Sequence, residues 1–303
     1  MLMHAIDAYL AVRRAAGYDL SERAGFLRSY ARFAQTLGQT HVRGQTAIDW
    51  ARLGSSPPQW DRRLKEVIRF ARHVHAEDAR HEIPPNGVFG HHPRRQRVPF
   101  IYSPQDLRRL VEEALRLPPV GSIRPHTYGT LFSLLAATGL RISEALSLRL
   151  DDVGEDGLVI RKTKFKKSRL VPLHDTAVAG IQRYLVPRRA VGGTEDHLFV
   201  TERGRPLSYR KVLDTFLALV QAIGLHPGPG LPGPRIHDVR HTFAVRAIEA
   251  CPDGHRVDRH MLALSTYLGH ASVADTYWYL HATPQLMARI AESSETFARG
   301  VLR

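Results

Sequence analysis

Apolar residues recur at helical spacing through the first eighty positions. His4 to Ala16 carries Ile6, Tyr9, Leu10 and Val12 on a three-to-four-residue rhythm, and Gly17 ends the run. Ser21 is placed to cap a second helix reaching Leu37, with Gly38 just beyond. A shorter helix is expected over Gln45 to Leu53. Pro57 and Pro58 then open a long one through Glu77, with Trp60, Leu64, Val67, Ile68 and Phe70 as its apolar positions. Together they predict an N-terminal helical bundle over residues 1–82.

The rhythm stops over 83–102. Ile83-Pro84-Pro85-Asn86-Gly87 is turn chemistry, and Pro93-Arg94-Arg95-Gln96-Arg97 reads as a basic linker. A second domain is expected over 103–303. Ser103 can cap a helix with Pro104 at its first position. Thr127 to Ala137 is an apolar helix, Gly139 breaks it, and Arg141 to Leu148 resumes helical spacing. Leu158–Thr163 and Arg169–Leu173 read as strands around the turn 164–167. Residues 226–235 form a Pro/Gly loop, and a helix begins near His237. The fold class is therefore mainly α with a small β-sheet: a helical bundle followed by an α+β domain.

Length and charge sharpen this picture. The 303 residues suffice for two ordinary domains. No apolar run approaches a membrane span and no signal-peptide pattern opens the chain, so no membrane partner and a cytoplasmic location are expected. The single cysteine, Cys251, excludes an internal disulfide. The net charge of +14 points to a polyanion, usually nucleic acid. Residues 1–100 hold 16 Lys and Arg against 9 Asp and Glu, and the remainder 27 against 20, so both halves are basic.

Three segments carry candidate chemistry. Phosphodiester transfer without a metal needs an aligned nucleophile, fixed cations on the non-bridging oxygens, a proton for the leaving oxygen, and a dry site. In His237-Asp238-Val239-Arg240-His241, His237 and Arg240 share a helix face and can meet one phosphate. The same pentapeptide also reads as a solvated basic helix end. A third reading takes His237 and His241 as zinc ligands, with Asp238 a methylene short of a metallopeptidase glutamate. In the segment 138–148 (TGLRISEALSL), Arg141 follows a glycine break at a helix start, and Glu144 is placed to orient it. In the segment 268–282 (LGHASVADTYWYLHA), His270 precedes Tyr277 and Tyr279, which read equally as core aromatics.

In this order the segments resemble the tyrosine recombinase (phage integrase) family. The resemblance rests on Arg141 in a TGxRxSE-type segment, His237 with Arg240 as HxxR, Leu268-Gly269-His270, and Tyr279 nine residues after that histidine. The segment 163–173 (TKFKKSRLVPL) is similar to the family's lysine hairpin and places Lys164 at its lysine, with Phe165 where glycine is usual. Tyr277 is two residues off the family spacing. The resemblance covers roughly residues 100–290.

It implies a site-specific DNA strand transferase that needs no metal, cofactor or ATP. Tyr279 would attack the scissile phosphate, giving a 3′-phosphotyrosine. Arg141 and Arg240 would clamp the non-bridging oxygens, and Lys164 would protonate the leaving 5′-oxygen. His237 would assist proton transfer and His270 would hydrogen-bond the phosphate. It further implies double-stranded DNA as partner, a homo-tetramer on two sites, and a role in integration, excision or transposition. A partner recombinase or DNA-bending protein is a further possible partner, and the absence of a separate arm-binding domain favours a simple recombinase.

DNA-contact candidates are Arg62, Arg63, Lys65, Arg69 and Arg72 on the long N-terminal helix, and Arg94, Arg95 and Arg97 in the linker. The amphipathic segment 284–302, with Leu286, Ile290 and Phe297, suits docking on a neighbouring subunit or closing its own core. Three rival functions remain: a type IB topoisomerase-like DNA-relaxing enzyme, a non-catalytic DNA-binding regulator on the same fold, and a zinc hydrolase.

Overall fold

The computed structural model describes residues 2–18, 20–90, 97–161, 168–192, 196–225, 233–251, 257–269 and Thr276. The chain divides into two compact units, residues 1–96 and 97–303.

In the first unit, α1 (Leu2–Ala15), α2 (Ser21–Thr36), α3 (Gly44–Arg52) and α4 (Pro57–His75) enclose one core. Tyr30, Trp50, Phe70, Leu10 and Leu64 fill it, with the Tyr30 and Trp50 rings edge-on at 5.5 Å. The predicted pattern holds in detail on α4, where Leu64, Val67, Ile68 and Phe70 are buried. On α1 the buried stripe is Leu2, Ile6, Tyr9 and Leu10, and Val12 is exposed. Position 12 lies roughly 200° around the helix from Leu10, away from the core face. Ser21 does not cap α2. Leu20 holds that place, because its carbonyl already accepts the amide of Ala24. Phe89, in the segment read as linker, packs edge-on against Trp60 of this unit.

The second unit contains, among its described residues, α5 (Pro104–Ala114), α6 (Ile123–Thr138), α7 (Ile142–Ser147), β1 (Val153–Gly154), β2 (Gly157–Ile160), β3 (Arg169–Val171), α8 (Asp175–Ala190), α9 (Tyr209–Ala222), α10 (Ile236–Glu249) and α11 (Val257–Leu268). Ser103 caps α5 as expected: its hydroxyl accepts the Asp106 amide at 3.0 Å, and Asp106 returns a bond to the Ser103 amide at 2.9 Å. Helix α6 begins four residues before Thr127, where the Ser122 hydroxyl takes the amide of Arg124. It packs on α5, α8 and α10 and leaves only a narrow stripe, His126, Ser133 and Ala137, exposed. The strands form an antiparallel sheet in the order β1-β2-β3, with Leu158 opposite Val171 and Ile160 opposite Arg169. They are shorter than expected, β1 is additional, and the turn 164–167 lies outside the described residues.

The segment entering this unit is strapped to α10. The Tyr102 amide donates to Thr242 Oγ1 at 3.0 Å, and Arg246 Nη2 donates to the Tyr102 carbonyl at 2.9 Å. Arg97 bonds the Gly233 carbonyl. Among the described residues no helix is long and apolar enough to cross a membrane.

Candidate active site

Three segments distant in sequence meet where α6 ends. Gly139 caps α6 at φ 61°, a conformation that L side chains avoid. A methyl group there would lie 2.5 Å from Phe243 of α10 and 3.2 Å from Leu268 of α11. Glycine is thus required twice, for its backbone and for the close approach of three helices. Arg141 then occupies the extended N-cap position of α7. Glu144, one turn on, accepts the Arg141 amide at 3.0 Å and its Nη1 at 2.8 Å. Glu144 and Arg141 are therefore in direct contact.

Helix α10 supplies the next pair. Arg240 is 2 % exposed and donates from Nη1 to the Gly139 carbonyl and from Nη2 to the Leu268 carbonyl, both at 2.8 Å. Arg141 Nη2 donates to the Gly269 carbonyl at 3.1 Å. A third guanidinium, from Arg169 on β3, donates through Nε to the Tyr267 carbonyl at 2.9 Å and forks onto Glu144 at 3.0 and 2.9 Å. Tyr267 and Leu268 end α11 and Gly269 follows it, so their carbonyls lie at the negative end of the helix dipole. Each receives one arginine, so three cations are assembled on a helix terminus, immediately ahead of His270.

His237 lies beside this group. Its residue is exposed at the surface of α10, but partial desolvation by the surrounding groups, with the charges of Arg240 and Arg235, lowers its imidazole from the usual range, which favours the neutral ring. His241 stands edge-on to it at 4.6 Å. Burial first, then His237, pushes His241 down to about 3. Asp238 is fully buried and bonds the Arg235 amide at 2.9 Å and Nη2 at 2.7 Å. It caps α10, an occupation at odds with the zinc-hydrolase reading of this pentapeptide.

Arg141, Glu144, His237 and Arg240 are thus brought together, joined by Arg169. That residue is visible in the sequence only as one arginine of a basic hairpin. Lys164, His270, Tyr277 and Tyr279 lie outside the described residues, as do Arg94 and Arg95. In the first unit Arg62, Lys65, Arg69 and Arg72 follow one another along an exposed face of α4, at spacings of three, four and three. Lys65 pairs with Asp61, and Arg69 with Glu66. Arg63 turns the other way, with its guanidinium 4.1 Å from the centre of the Trp50 ring.

Among the described residues one group has metal-ligand spacing: His41, Asp78 and His81, whose donor atoms lie within 4.8 Å of one another. His81 Nδ1 accepts the Val42 amide at 3.0 Å. In the neutral ring its Nε2 therefore carries the proton and offers no lone pair. The group serves as a polar clasp between the residues after α2 and those after α4.

Comparison with known proteins agrees with this geometry. Residues 103–285 match the model of the phage integrase family. A Sinorhizobium fredii protein named as an integrase/recombinase, y4rB, is 41% identical over 93% of this chain and 93% of its own. Tyrosine recombinase XerD of Caulobacter vibrioides is 30% identical over 97% of this chain and 96% of its own. The solved Tn1549 transposon integrase, in complex with transposon right end DNA, shares the fold at a TM-score of 0.65 and 18% identity, covering 96% of this chain and 98% of that one. With a family match over most of the second unit and relatives along nearly the whole length, the chain belongs to the phage integrase family: it is a site-specific tyrosine recombinase, an enzyme that transfers DNA strands.

Proposed function

We propose that the chain opens and reseals duplex DNA through a covalent bond between Tyr279 and a DNA phosphate. The observation carrying this reading is the set of guanidinia at the end of α11, with a neutral His237 beside it. Arg141, whose side chain is 30% exposed, and Arg240 bind the non-bridging oxygens of the scissile phosphate. The Tyr279 oxygen attacks phosphorus, and its proton passes toward His237, whose neutral ring can accept it. The P–O5′ bond breaks, and the leaving oxygen takes a proton from Lys164. His270 hydrogen-bonds the phosphate. Attack by the 5′-hydroxyl of another strand reverses each transfer, so the phosphotyrosine conserves the bond without ATP.

Double-stranded DNA is the substrate, in keeping with the net charge of +14 and with the DNA held by the Tn1549 integrase. The exposed cations of α4 and the arginines at 94, 95 and 97 contact its backbone. A homo-tetramer on two sites performs integration, excision or transposition, alone or with a partner recombinase or DNA-bending protein.

The test is covalent trapping in EDTA on nicked duplexes tiled from DNA flanking the gene, beside Tyr279→Phe. An adduct in the wild type and none in the variant is expected. An adduct surviving in Tyr279→Phe would move the nucleophile to Tyr277, and DNA binding without any adduct would favour the regulator.

A further inference from the structure

We infer that Arg169 is a positioning residue for strand transfer: it shares Glu144 with Arg141, so that Glu144 can hold Arg141 in place without cancelling the positive charge offered to the phosphate. The inference rests on the proposed role of Arg141 as a phosphate ligand.

The geometry is a closed set of bonds. Glu144 Oε1 accepts Arg141 Nη1 at 2.8 Å and Arg169 Nη1 at 3.0 Å. Its Oε2 accepts the Arg141 amide at 3.0 Å and Arg169 Nη2 at 2.9 Å. The Glu144 side chain is 8% exposed, that of Arg169 14% and that of Arg141 30%. One carboxylate paired with one guanidinium forms a neutral unit that attracts a phosphate weakly. Two guanidinia on one carboxylate leave a net positive charge, and Arg141 is the more exposed of the two. A partly buried site makes this difference count, because solvent screens it poorly.

Arg169 also ties β3 to the end of α11. It stands on β3, five residues after Lys164, and its Nε bonds the Tyr267 carbonyl three residues before His270. All three guanidinium nitrogens are thus engaged within the protein, an arrangement suited to holding other groups in place.

The experiment measures single-turnover adduct formation on saturating nicked substrate, across pH, for the wild type, Arg169→Met and Arg169→Lys. Burial pushes the Glu144 carboxyl up, but bonds from Arg169 and the Arg141 amide, with both charges, outweigh it and hold the group at about 2. Without Arg169 the carboxyl rises, and its protonation releases Arg141. Arg169→Met is therefore expected to bind DNA and fold as the wild type does, and to cleave roughly a hundredfold more slowly. The acid limb of its rate profile should shift to higher pH. Arg169→Lys keeps the charge without the fork, so it should be slowed less, with a smaller shift of its acid limb in the same direction, and this variant decides the matter if the methionine form does not fold. A wild-type rate in either variant, or slowing that follows the folded fraction alone with a wild-type acid limb, overturns the inference. Failure of the wild type to form an adduct would instead overturn the function on which it rests.

Discussion

Arg240 spans two carbonyls, Gly139 and Leu268, that belong to different helix ends. A lysine carries the same charge but not the planar fork. Arg240→Lys is expected to leave one carbonyl without its cation and to lower adduct formation on the order of a hundredfold or more, with DNA binding largely kept, as gel shift and trapping on one substrate would reveal. His237 sets a pH dependence. In the proposed role of proton acceptor it works only when neutral, and local desolvation with the nearby arginine charges lowers it from the ordinary histidine midpoint of about 6.5. Cleavage by the wild type should therefore hold level through neutrality and fall only at more acid pH. A rate already halved near pH 7 would remove His237 from this role. Arg141, His237 and Arg240 are legible in the sequence because their short motifs, each ambiguous singly, follow one another in the family's order. The role of Arg169 is not, since it depends on partners 25 and 98 residues away.

The end of α6 is an exacting element. Replacing Gly139 with alanine combines a left-handed backbone with a methyl group pressed into Phe243. A loss of about 2–4 kcal/mol follows from the two costs together, readable as a lower urea midpoint. On α4 the exposed stripe makes a different prediction. Arg62→Ala with Arg72→Ala should weaken binding to all duplexes alike and flatten the salt dependence by about one unit for each phosphate contact removed. A changed sequence preference with an unchanged slope would assign them to base contacts. Elements divide the same way in legibility. Helix α4 is amphipathic and declares its buried face, whereas the narrow exposed stripe of α6 is made of His126, Ser133 and Ala137, which stand out little from its apolar run, and Ser122 and Gly139 mark its true ends. The placement of Ser21 inside α2 shows the limit of reading caps from residue type, because backbone bonding by Leu20 decides the start.

Across the molecule, each unit has its own apolar core and its own buried histidine. His81 in the first unit and His241 in the second are both held below the usual range by burial and by a neighbouring histidine. A depressed folded value means that the neutral ring stabilises the native state above the unfolded midpoint of about 6.5, and that this contribution is lost as pH falls below it. The urea midpoint should accordingly stay level above neutrality and drop on acidification, with two phases if the units unfold independently. A midpoint rising toward acid pH would contradict both assignments. That the chain forms two units follows from composition and periodicity, because turn residues and a basic run interrupt the helical rhythm at 83–102. The meeting of α6, α10 and α11 is not encoded locally, since it arises only when Gly139, Phe243 and Leu268 pack together.

The strap formed by Tyr102 on α10 has a mechanical meaning. Its two anchors, Thr242 and Arg246, belong to the helix that also presents His237 and Arg240. Tyr102 itself is buried in the main core of the unit, so a pull from the preceding residues is shared between that core and α10. Helix α10 is thus one of two anchors at the chain's entry into this unit, and a pull there is felt by the helix that carries Arg240 as well as by the core.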